Sequence, residues 1–215
     1  MLSEKEKMFK GEKYLPFSQQ LVEERENCKA ALWRFNHSMD PGRGVTREER
    51  TRLFKAILQP SWIPRRTNQS SPNPHPIGSL GSDVCVEAPF YCEYGYNINI
   101  GPDVVIGPNC TILDPCIIII SARCIIGPNV NIYGNSVDLH PARRQGSKGP
   151  AQGKRIVIEE DCFIGGNVTI CPGVTIGKGS TVAAGSVVIN DIPRYVLAAG
   201  NPTRVVRGMY GVGQG

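Results

Sequence analysis

The feature that most constrains the fold is a six-residue spacing of aliphatic side chains between residues 158 and 189. A β-branched residue stands at every sixth position: Ile158, Ile164, Ile170, Ile176, Val182 and Val188. Four residues after each of the first five comes a small or short side chain: Cys162, Val168, Val174, Ser180 and Ser186. An α-helix repeats every 3.6 residues and a strand every 2, so neither explains this spacing. A short fixed period instead predicts a solenoid in which three hexapeptide units form one triangular coil.

The same spacing extends toward the N-terminus, with one irregularity and one large interruption. Earlier aliphatic positions are Ile100, Ile106, Ile112, Ile120, Ile126 and Ile132. The step of eight between Ile112 and Ile120 predicts two extra residues at one corner of the coil. After Ile132 the spacing stops until Ile158, so residues 133–157 are predicted to form an extended loop. Insertions in solenoids map to loops on one face, which is often the binding face.

Glycine and cysteine residues fit the predicted corners and core of this coil. Glycine allows backbone dihedrals that are costly for other residues, and it is predicted at sharp bends: Gly165, Gly173, Gly177, Gly179 and Gly185. Four of the eight cysteines fall in the small inward position: Cys110, Cys116, Cys124 and Cys162. Because no CxxC pair has zinc spacing, we expect these to be buried thiols that fill the core.

The chain divides into four predicted regions. Residues 1–59 are predicted to form a small helical subdomain, and Ser3–Glu6 and Thr46–Glu49 have the spacing of capping boxes. Ser18 is predicted to open a further helix. A Pro- and Ser-rich connecting loop at 60–83, which contains His75, then leads to the β-coil at 84–193 and a C-terminal tail at 194–215.

The charge distribution limits the classes of ligand. The chain of 215 residues has a formal net charge of +5, and five basic residues with no acid lie between His140 and Arg155. Such a local positive field suits a small polyanion. No nucleic-acid-binding motif accompanies it, so nucleic acid is not an expected partner. The polar N-terminus and the lack of a long apolar run predict a cytoplasmic protein without a membrane segment.

Several motifs, taken in order, resemble those of the maltose and galactoside O-acetyltransferases, which are left-handed β-helix acyltransferases with hexapeptide repeats. The motifs lie in the sequence as follows: EKEKMFKGEKY near the start, FNHS at 35–38, CEYGYNINIG at 92–101, NCTILD at 109–114, GPNVNIY at 127–133, PGVTIG at 172–177, AGSVV at 184–188 and GNPTRVVR at 200–207. The resemblance covers almost the whole chain except the segment 60–82. It implies a mainly β fold, a left-handed parallel β-helix with a small helical subdomain and an extended loop.

The resemblance also implies an acetyl-CoA-dependent O-acetyltransferase that is a homotrimer, with acetyl-CoA in a groove between neighbouring subunits. His140 falls on the family's general base, a role that suits an imidazole with a pKa near neutrality. The residues that match cofactor positions are Gly165, Gly166, Ala184, Gly185, Arg204 and Arg207. The backbone amide near Gly165–Gly166 matches the donor to the oxyanion. Residues that match acceptor positions are Arg25, Glu93, Asn109 and Asp114. No metal is implied.

Departures from the family pattern concentrate on the acceptor side. Pro16 stands where the family usually has an acid, Gly107 where related enzymes have Asn, and Ala151 where a Glu is found. Ile189–Asn190 replaces a Thr-Lys pair near the cofactor groove. Polar sites discriminate strongly among hydroxylated substrates, so these changes predict a small-molecule acceptor other than a simple hexose.

Other readings of the same sequence remain open. An N-acetyltransferase of the same superfamily would differ only in the nucleophile. A catalytically impaired hexapeptide protein that binds a ligand or serves as a scaffold is compatible with the lost polar groups. A zinc enzyme on this scaffold would need three convergent histidines, whereas only His140 lies within the predicted coil region.

Overall fold

The structure is a computed structural model that describes residues 2–39, 42, 44–63 and 77–209. The helices are α1 Glu4–Phe9, α2 Gln19–Asn36, α3 Arg47–Leu58 and α4 Pro141–Arg144, with short 3₁₀ helices at His37–Met39 and Gly146–Lys148. The strands are β1 Ser79–Leu80, β2 Cys85–Val86, β3 Phe90–Cys92, β4 Ile98–Ile100, β5 Val105–Ile106, β6 Cys110–Leu113, β7 Ile118–Ile120, β8 Ile125–Ile126, β9 Asn131–Tyr133, β10 Asn135–Val137, β11 Ala151–Gly153, β12 Ile156–Ile158, β13 Phe163–Ile164, β14 Thr169–Ile170, β15 Thr175–Ile176, β16 Thr181–Val182, β17 Val187–Val188, β18 Val196–Ala199 and β19 Arg204–Gly208. His75 lies outside the described residues.

Three parallel sheets form the faces of a triangular prism. Face one contains β1, β4, β7, β12 and β15; face two contains β2, β5, β8, β13, β16 and β18; face three contains β3, β6, β9, β14 and β17. Equivalent positions of successive coils pair in register, so that Ile164 lies beside Ile126 and Val182. The parallel hexapeptide coil predicted from the sequence is therefore confirmed, with one strand per face in each turn.

The core of the prism is filled by the residues whose spacing predicted it. Each aliphatic position is at most 2 % exposed: Ile100, Ile106, Ile112, Ile120, Ile126, Ile132, Ile158, Ile164, Ile170, Ile176, Val182 and Val188. The four cysteines assigned to inward positions are buried, and all eight cysteines are free thiols. Full burial of one aliphatic side chain contributes about 1.5–3 kcal/mol. The stacked aliphatic columns are thus the main source of the coil's stability.

The N-terminal helices begin near the predicted caps, although the capping contacts differ. Ser3 and Glu6 form the complete capping box of α1. At α3 the Thr46 hydroxyl accepts a hydrogen bond from the Glu49 N–H at 3.2 Å. The Glu49 carboxylate, however, accepts two hydrogen bonds from Arg52 at 2.8 Å instead of reaching back to the cap. The second capping box is therefore only half formed, because an ion pair competes for the carboxylate.

Helix α2 packs one apolar stripe onto the coil. Four of its residues with apolar side chains are buried: Leu21, Cys28, Leu32 and Phe35. Ser18 is its N-cap, but the Ser18 hydroxyl makes no capping hydrogen bond and is buried without a partner among the described residues. The Cys28 and Cys92 sulfurs lie 3.6 Å apart and join α2 to β3.

The coil is longer at both ends than the predicted range of 84–193. Strand β1 pairs with β4 and so begins the coil at Ser79, inside the predicted connecting loop. Strand β18 pairs with β16, and β19 then folds back antiparallel to β18, so the tail predicted from residue 194 continues face two. Backbone pairing thus continues the sheets at both ends, with Leu80 beside Ile100 and Ala198 beside Val182. The extended loop is likewise shorter than 133–157, since Tyr133 ends β9 and Ile156 begins β12.

The five corner glycines act in two different ways. Those with positive φ, as predicted, are Gly173, Gly179 and Gly185. Gly165 and Gly177 lack positive φ, and their need for glycine is steric. A Cβ on Gly165 would lie 2.5 Å from the Ala184 nitrogen, and one on Gly177 would lie 2.6 Å from the Arg194 nitrogen. These two glycines therefore allow successive coils to approach closely.

Candidate active site

The sequence-selected residues lie on two different edges of the prism. We call the edge between faces two and three the glycine edge; its corners are residues 87–89, 107–109, 127–130, 165–168, 183–186 and 200–203. We call the edge between faces three and one the loop edge; its corners are residues 93–97, 114–117, 134–155, 171–174 and 189–191. In-register pairing stacks the corners of each edge above one another. The two edges are separated by the full width of face three.

The extended loop emerges from the loop edge as a hairpin. Strand β10 pairs antiparallel with β11, with Asn135 opposite Gly153 and Val137 opposite Ala151. Helix α4 starts directly after His140 because Pro141 occupies its first turn, where a missing N–H costs nothing. His140 therefore stands at the N-cap of a short helix, at the end of the hairpin farthest from the coil.

His140 lines an open cleft of about 640 Å³ together with Lys13, Asp138, Arg143 and Lys154. The His140 side chain is exposed, and its backbone N–H donates to Asp138 Oδ1 at 3.0 Å. Asp138 Oδ2 accepts from Lys13 Nζ at 3.0 Å, and Arg143 Nε lies 3.5 Å from Oδ1. The His140 N–H, followed by the Lys13 ammonium, lowers the pKa of Asp138. One carboxylate therefore organises the charged groups around the histidine.

The N-terminal segment forms one side of the loop. Tyr14 and Ala151 exchange backbone hydrogen bonds of 3.0 and 2.9 Å. Gln152 Nε2 donates to the Gly11 carbonyl oxygen at 2.8 Å. Residues 11–14 thus lie beside β11 and hold the hairpin against the helical subdomain. Nothing in the spacing of the sequence predicted this contact, because its two sides are far apart in the chain.

Arg25 and Glu93 lie together at the base of the loop edge. Arg25 Nη1 donates to the Tyr94 hydroxyl at 2.7 Å, and its guanidinium stacks 5.5 Å from the Phe17 ring centre. Burial raises the pKa of Glu93, and the positive charge of Arg25 opposes that rise. Glu93 Oε2 is buried and has no hydrogen-bond partner among the described residues. These two predicted acceptor residues therefore form one polar cluster.

Asp114 is also among the predicted acceptor residues, and its side chain is fully buried. Asp114 Oδ1 accepts the backbone N–H groups of Glu93 and Tyr94 at 3.0 and 2.9 Å, and Oδ2 accepts that of Asn97 at 3.4 Å. Burial raises the pKa of Asp114 to about 8, against the lowering effect of these amides. Asp114 sits at the corner with the two extra residues, and it fixes the turn that carries Glu93.

Asn109, another predicted acceptor residue, lies on the glycine edge, away from Arg25 and Glu93 of the same chain. Its φ of 61° is left-handed, a conformation that Asn tolerates better than most residues. Gly107 precedes it, and a Cβ there would lie 2.8 Å from the Pro128 nitrogen. The corner geometry explains both residues, and it leaves no room for a side chain at position 107.

The predicted cofactor residues share the glycine edge. Ala184 and Gly185 are exposed and Gly166 is partly exposed, whereas Gly165 is buried and a Cβ there would lie 2.5 Å from the Ala184 nitrogen. The two predicted phosphate-binding residues, Arg204 and Arg207, are exposed on β19, directly beyond the last corner of the glycine edge. The glycine edge thus presents small side chains, followed by the two positively charged side chains of Arg204 and Arg207.

In the part of the chain that the structure describes, no group of three or more His, Cys, Asp or Glu side chains could hold a metal ion. None of the helices in that part is long and apolar enough to cross a membrane.

A coil of hexapeptide repeats with an inserted loop that carries a histidine, followed by a basic C-terminal strand, is the architecture of hexapeptide-repeat acetyltransferases. Residues 7–61 match the maltose acetyltransferase hexapeptide capping motif, and residues 155–189 match the hexapeptide repeat of succinyl-transferase. The galactoside O-acetyltransferase of Escherichia coli (strain K12) is 34% identical over 203 residues, which cover 94% of this chain and 87% of that protein. The chain belongs to the maltose and galactoside O-acetyltransferase family.

Solved structures agree with this assignment over the whole chain. A maltose O-acetyltransferase from Clostridium difficile 630 superimposes with a TM-score of 0.82 at 32% identity, covering 98% of this chain and 99% of that one. A hexapeptide-repeat acetyltransferase from Vibrio cholerae O1 biovar eltor, complexed with acetyl coenzyme A, gives a TM-score of 0.80 at 36% identity and covers 98% and 100%. The protein is therefore an acetyltransferase of the hexapeptide-repeat class.

Proposed function

We propose that the protein transfers the acetyl group of acetyl-CoA to a hydroxyl of a small-molecule acceptor, with His140 as general base. The observation that carries this proposal is the exposed His140 side chain in the cleft of the inserted loop. The imidazole takes the hydroxyl proton while the acceptor oxygen attacks the thioester carbonyl carbon. The C–S bond then breaks, and the CoA sulfur leaves with the proton that the imidazolium returns.

The oxyanion formed in this reaction needs a hydrogen-bond donor. The Gly165 N–H already donates to the Val182 carbonyl oxygen at 2.8 Å. We therefore assign the oxyanion contact to the Gly166 N–H, at a partly exposed corner of the glycine edge. Ala184 and Gly185 line the adjoining cofactor groove in this proposal, since small side chains let an extended ligand approach the backbone. Arg204 and Arg207 pair with the CoA phosphates.

The complete site requires more than one chain, and a homotrimer is proposed. His140 stands on the loop edge, whereas the cofactor residues stand on the glycine edge. Face two, which borders the glycine edge, carries an outward apolar stripe of Val105, Ile125 and Phe163, each 41–50 % exposed. Association through this stripe would bring the loop of one chain to the glycine edge of the next.

The acceptor is proposed to be less polar than a simple hexose. Beside its charged and polar groups, the cleft around His140 is lined by the apolar residues Val137, Leu139, Pro141, Pro150 and Ala151. Ala151 is buried by its pairing with Tyr14, so this position offers only a methyl group. These apolar side chains gain little from extra sugar hydroxyls. A secondary metabolite with an apolar body and one reactive hydroxyl fits them better.

The test measures release of CoA thiol from acetyl-CoA by the wild type and by His140→Ala, with 4-nitrophenyl β-D-galactoside and 2-phenylethanol as probe acceptors. We expect His140→Ala to lower kcat by about 10²–10⁴-fold, the usual contribution of a general base. We expect 2-phenylethanol to be the better acceptor. Mass spectrometry of the products locates the added acetyl group.

Equal thiol release by the two proteins would remove the catalytic proposal and favour a binding or scaffold role. A galactoside that is as good an acceptor as the alcohol would refute the acceptor class alone. An acetyl group found on nitrogen, in a screen that includes amines, would identify an N-acetyltransferase.

A further inference from the structure

We propose that Asp138 is a positioning residue for His140, and that Lys13 holds Asp138 in place from the N-terminal segment. This inference rests on the proposed role of His140. It assigns to two residues outside the reacting groups the task of setting where the imidazole stands.

The contact between Asp138 and His140 fixes the direction of the chain just before the imidazole. Asp138 Oδ1 accepts the His140 backbone N–H at 3.0 Å across two residues, which is the geometry of an Asx turn. The Asp138 side chain is only 12 % exposed, whereas its neighbour Leu139 is 92 % exposed. The carboxylate therefore points inward, under the turn that presents His140.

Lys13 ties this turn to a support outside the loop. Its ammonium donates to Asp138 Oδ2 at 3.0 Å, across 125 residues of sequence. The flanking residue Tyr14 is held by two backbone hydrogen bonds to Ala151, so Lys13 reaches the carboxylate from a paired segment. Arg143, from the first turn of α4, lies 3.5 Å from the same carboxylate. Asp138 thus joins the N-terminal segment, the His140 amide and α4.

The ion pair between Lys13 and Asp138 is expected to add little to the stability of the fold. Ion pairs with exposed partners usually contribute about 0–1 kcal/mol, and the side chain of Lys13 is 55 % exposed. Misplacing a catalytic group by about 1 Å, however, can lower a rate about 10²-fold. Because the described residues give the His140 ring no hydrogen-bond partner in this chain, its position depends on the backbone that Asp138 holds.

The experiment compares Asp138→Ala, Asp138→Asn and Lys13→Met with the wild type, using acetyl-CoA and 2-phenylethanol. We expect Asp138→Ala to lower kcat by about 10–100-fold while KM for acetyl-CoA stays within about two-fold. Asp138→Asn keeps an acceptor for the His140 amide and should retain more activity than Asp138→Ala. Lys13→Met should lower kcat by a few-fold. Lys148→Met, an exposed lysine on the same loop, is the matched control and should match the wild type.

A spectroscopic measurement separates positioning from folding. The chain has three histidines, so NMR signals of the His140 ring can be assigned by comparison with His140→Ala. Asp138→Ala should shift or broaden the His140 ring signals and leave those of His37 in place. This readout needs no acceptor, so it holds even where neither probe alcohol is acetylated.

Wild-type kcat and unchanged His140 signals in Asp138→Ala would overturn the inference. Should that variant fail to fold, unchanged kcat in both Asp138→Asn and Lys13→Met would overturn it instead. Failure of the proposed function has a different signature, because His140→Ala would then release thiol as fast as the wild type. An inactive His140→Ala beside a fully active Asp138→Ala removes only the positioning role.

Discussion

At the scale of single residues, Asp114 shows how a buried carboxylate can serve a site without entering it. Its two oxygens accept three backbone N–H groups of the turn at residues 93–97. Loss of one buried acceptor leaves donors unsatisfied at about 1–3 kcal/mol each. The position of Glu93, and with it the polar cluster around Arg25, therefore depends on a side chain that never reaches the surface.

The raised pKa of Asp114 makes stability depend on pH. Its pKa is about 8 in the folded protein and near 3.8 when unfolded, so the folded state binds the proton more tightly. This contribution to the unfolding free energy is fully present below about pH 4 and is lost as the pH rises toward 8. We expect Asp114→Asn to remove this part of the decline, measured by urea unfolding from pH 4 to 8 at one protein concentration. A difference between the two proteins that stays constant over this range would contradict the assignment.

Sequence reasoning reached some of these residues and missed others for physical reasons. His140 was found because it stands in the one large interruption of the repeat. Asp138 could have been found, because an Asp two residues before His140 has the spacing to accept the His140 backbone N–H in an Asx turn. Lys13 gave no signal, because its partner lies 125 residues away. The burial of Asp114 depends on how its coil stacks on the preceding one, and the sequence around Asp114 does not predict that contact.

At the scale of elements, the glycine edge is built by contact between coils rather than by flexible bends. Gly107, Gly127 and Gly165 each face the backbone of the next coil at 2.5–2.8 Å from where a Cβ would lie. Each coil therefore seats directly on the one before it. The residues proposed for the cofactor groove are different ones, and at Gly185 an added Cβ would meet open space.

We expect Gly165→Ala to destabilise the protein by about 3 kcal/mol, because overpacking against fixed backbone usually costs about 1–3 kcal/mol or slightly more. Its Cβ would lie 2.5 Å from the Ala184 nitrogen. Gly166→Ala is the matched control, since its Cβ would meet Pro128 at 3.2 Å and should cost less than about 1 kcal/mol. Urea unfolding at equal protein concentrations compares them. Equal stability of the two variants would show that the coils can separate without cost.

The strands of the coil were predictable because each coil repeats the core contacts of the coil before it. A six-residue spacing records which side chain points inward, so face, period and loop position followed from the sequence. The start of the coil was missed, although Leu80 of β1 pairs in register with Ile100 and packs against the core. The pairing of β10 with β11 was not predicted, because both strands lie in the segment where the six-residue spacing is interrupted.

At the scale of the whole molecule, the two edges divide the proposed chemistry between chains. The apolar stripe of Val105, Ile125 and Phe163 lies on face two, whose strands are otherwise flanked by polar corners. Three aligned and half-exposed apolar side chains are a typical protein–protein contact. In this proposal, the active site is complete only when the homotrimer has formed.

We expect Phe163→Glu to shift the protein from a three-chain to a one-chain mass, because a buried charge would be introduced into each contact. Thiol release should fall with the assembly, although His140 is unchanged. Tyr91→Glu, at a comparably exposed position on face three, is the control and should keep the larger mass. Light scattering coupled to gel filtration measures both. The reverse pattern would place the contact on face three.

The pairing of residues 11–14 with the loop also has a consequence for how the protein is made. Each coil pairs with the coil before it, so the prism can grow in order as the chain leaves the ribosome. The cleft cannot, because Gly11 must wait for Gln152, which is synthesised 141 residues later. Closing so long a loop is slow compared with adding the next coil. A nascent chain should therefore possess its first coils before it possesses a cleft, and activity should come later still, because the glycine edge is completed only by strands made after Gln152.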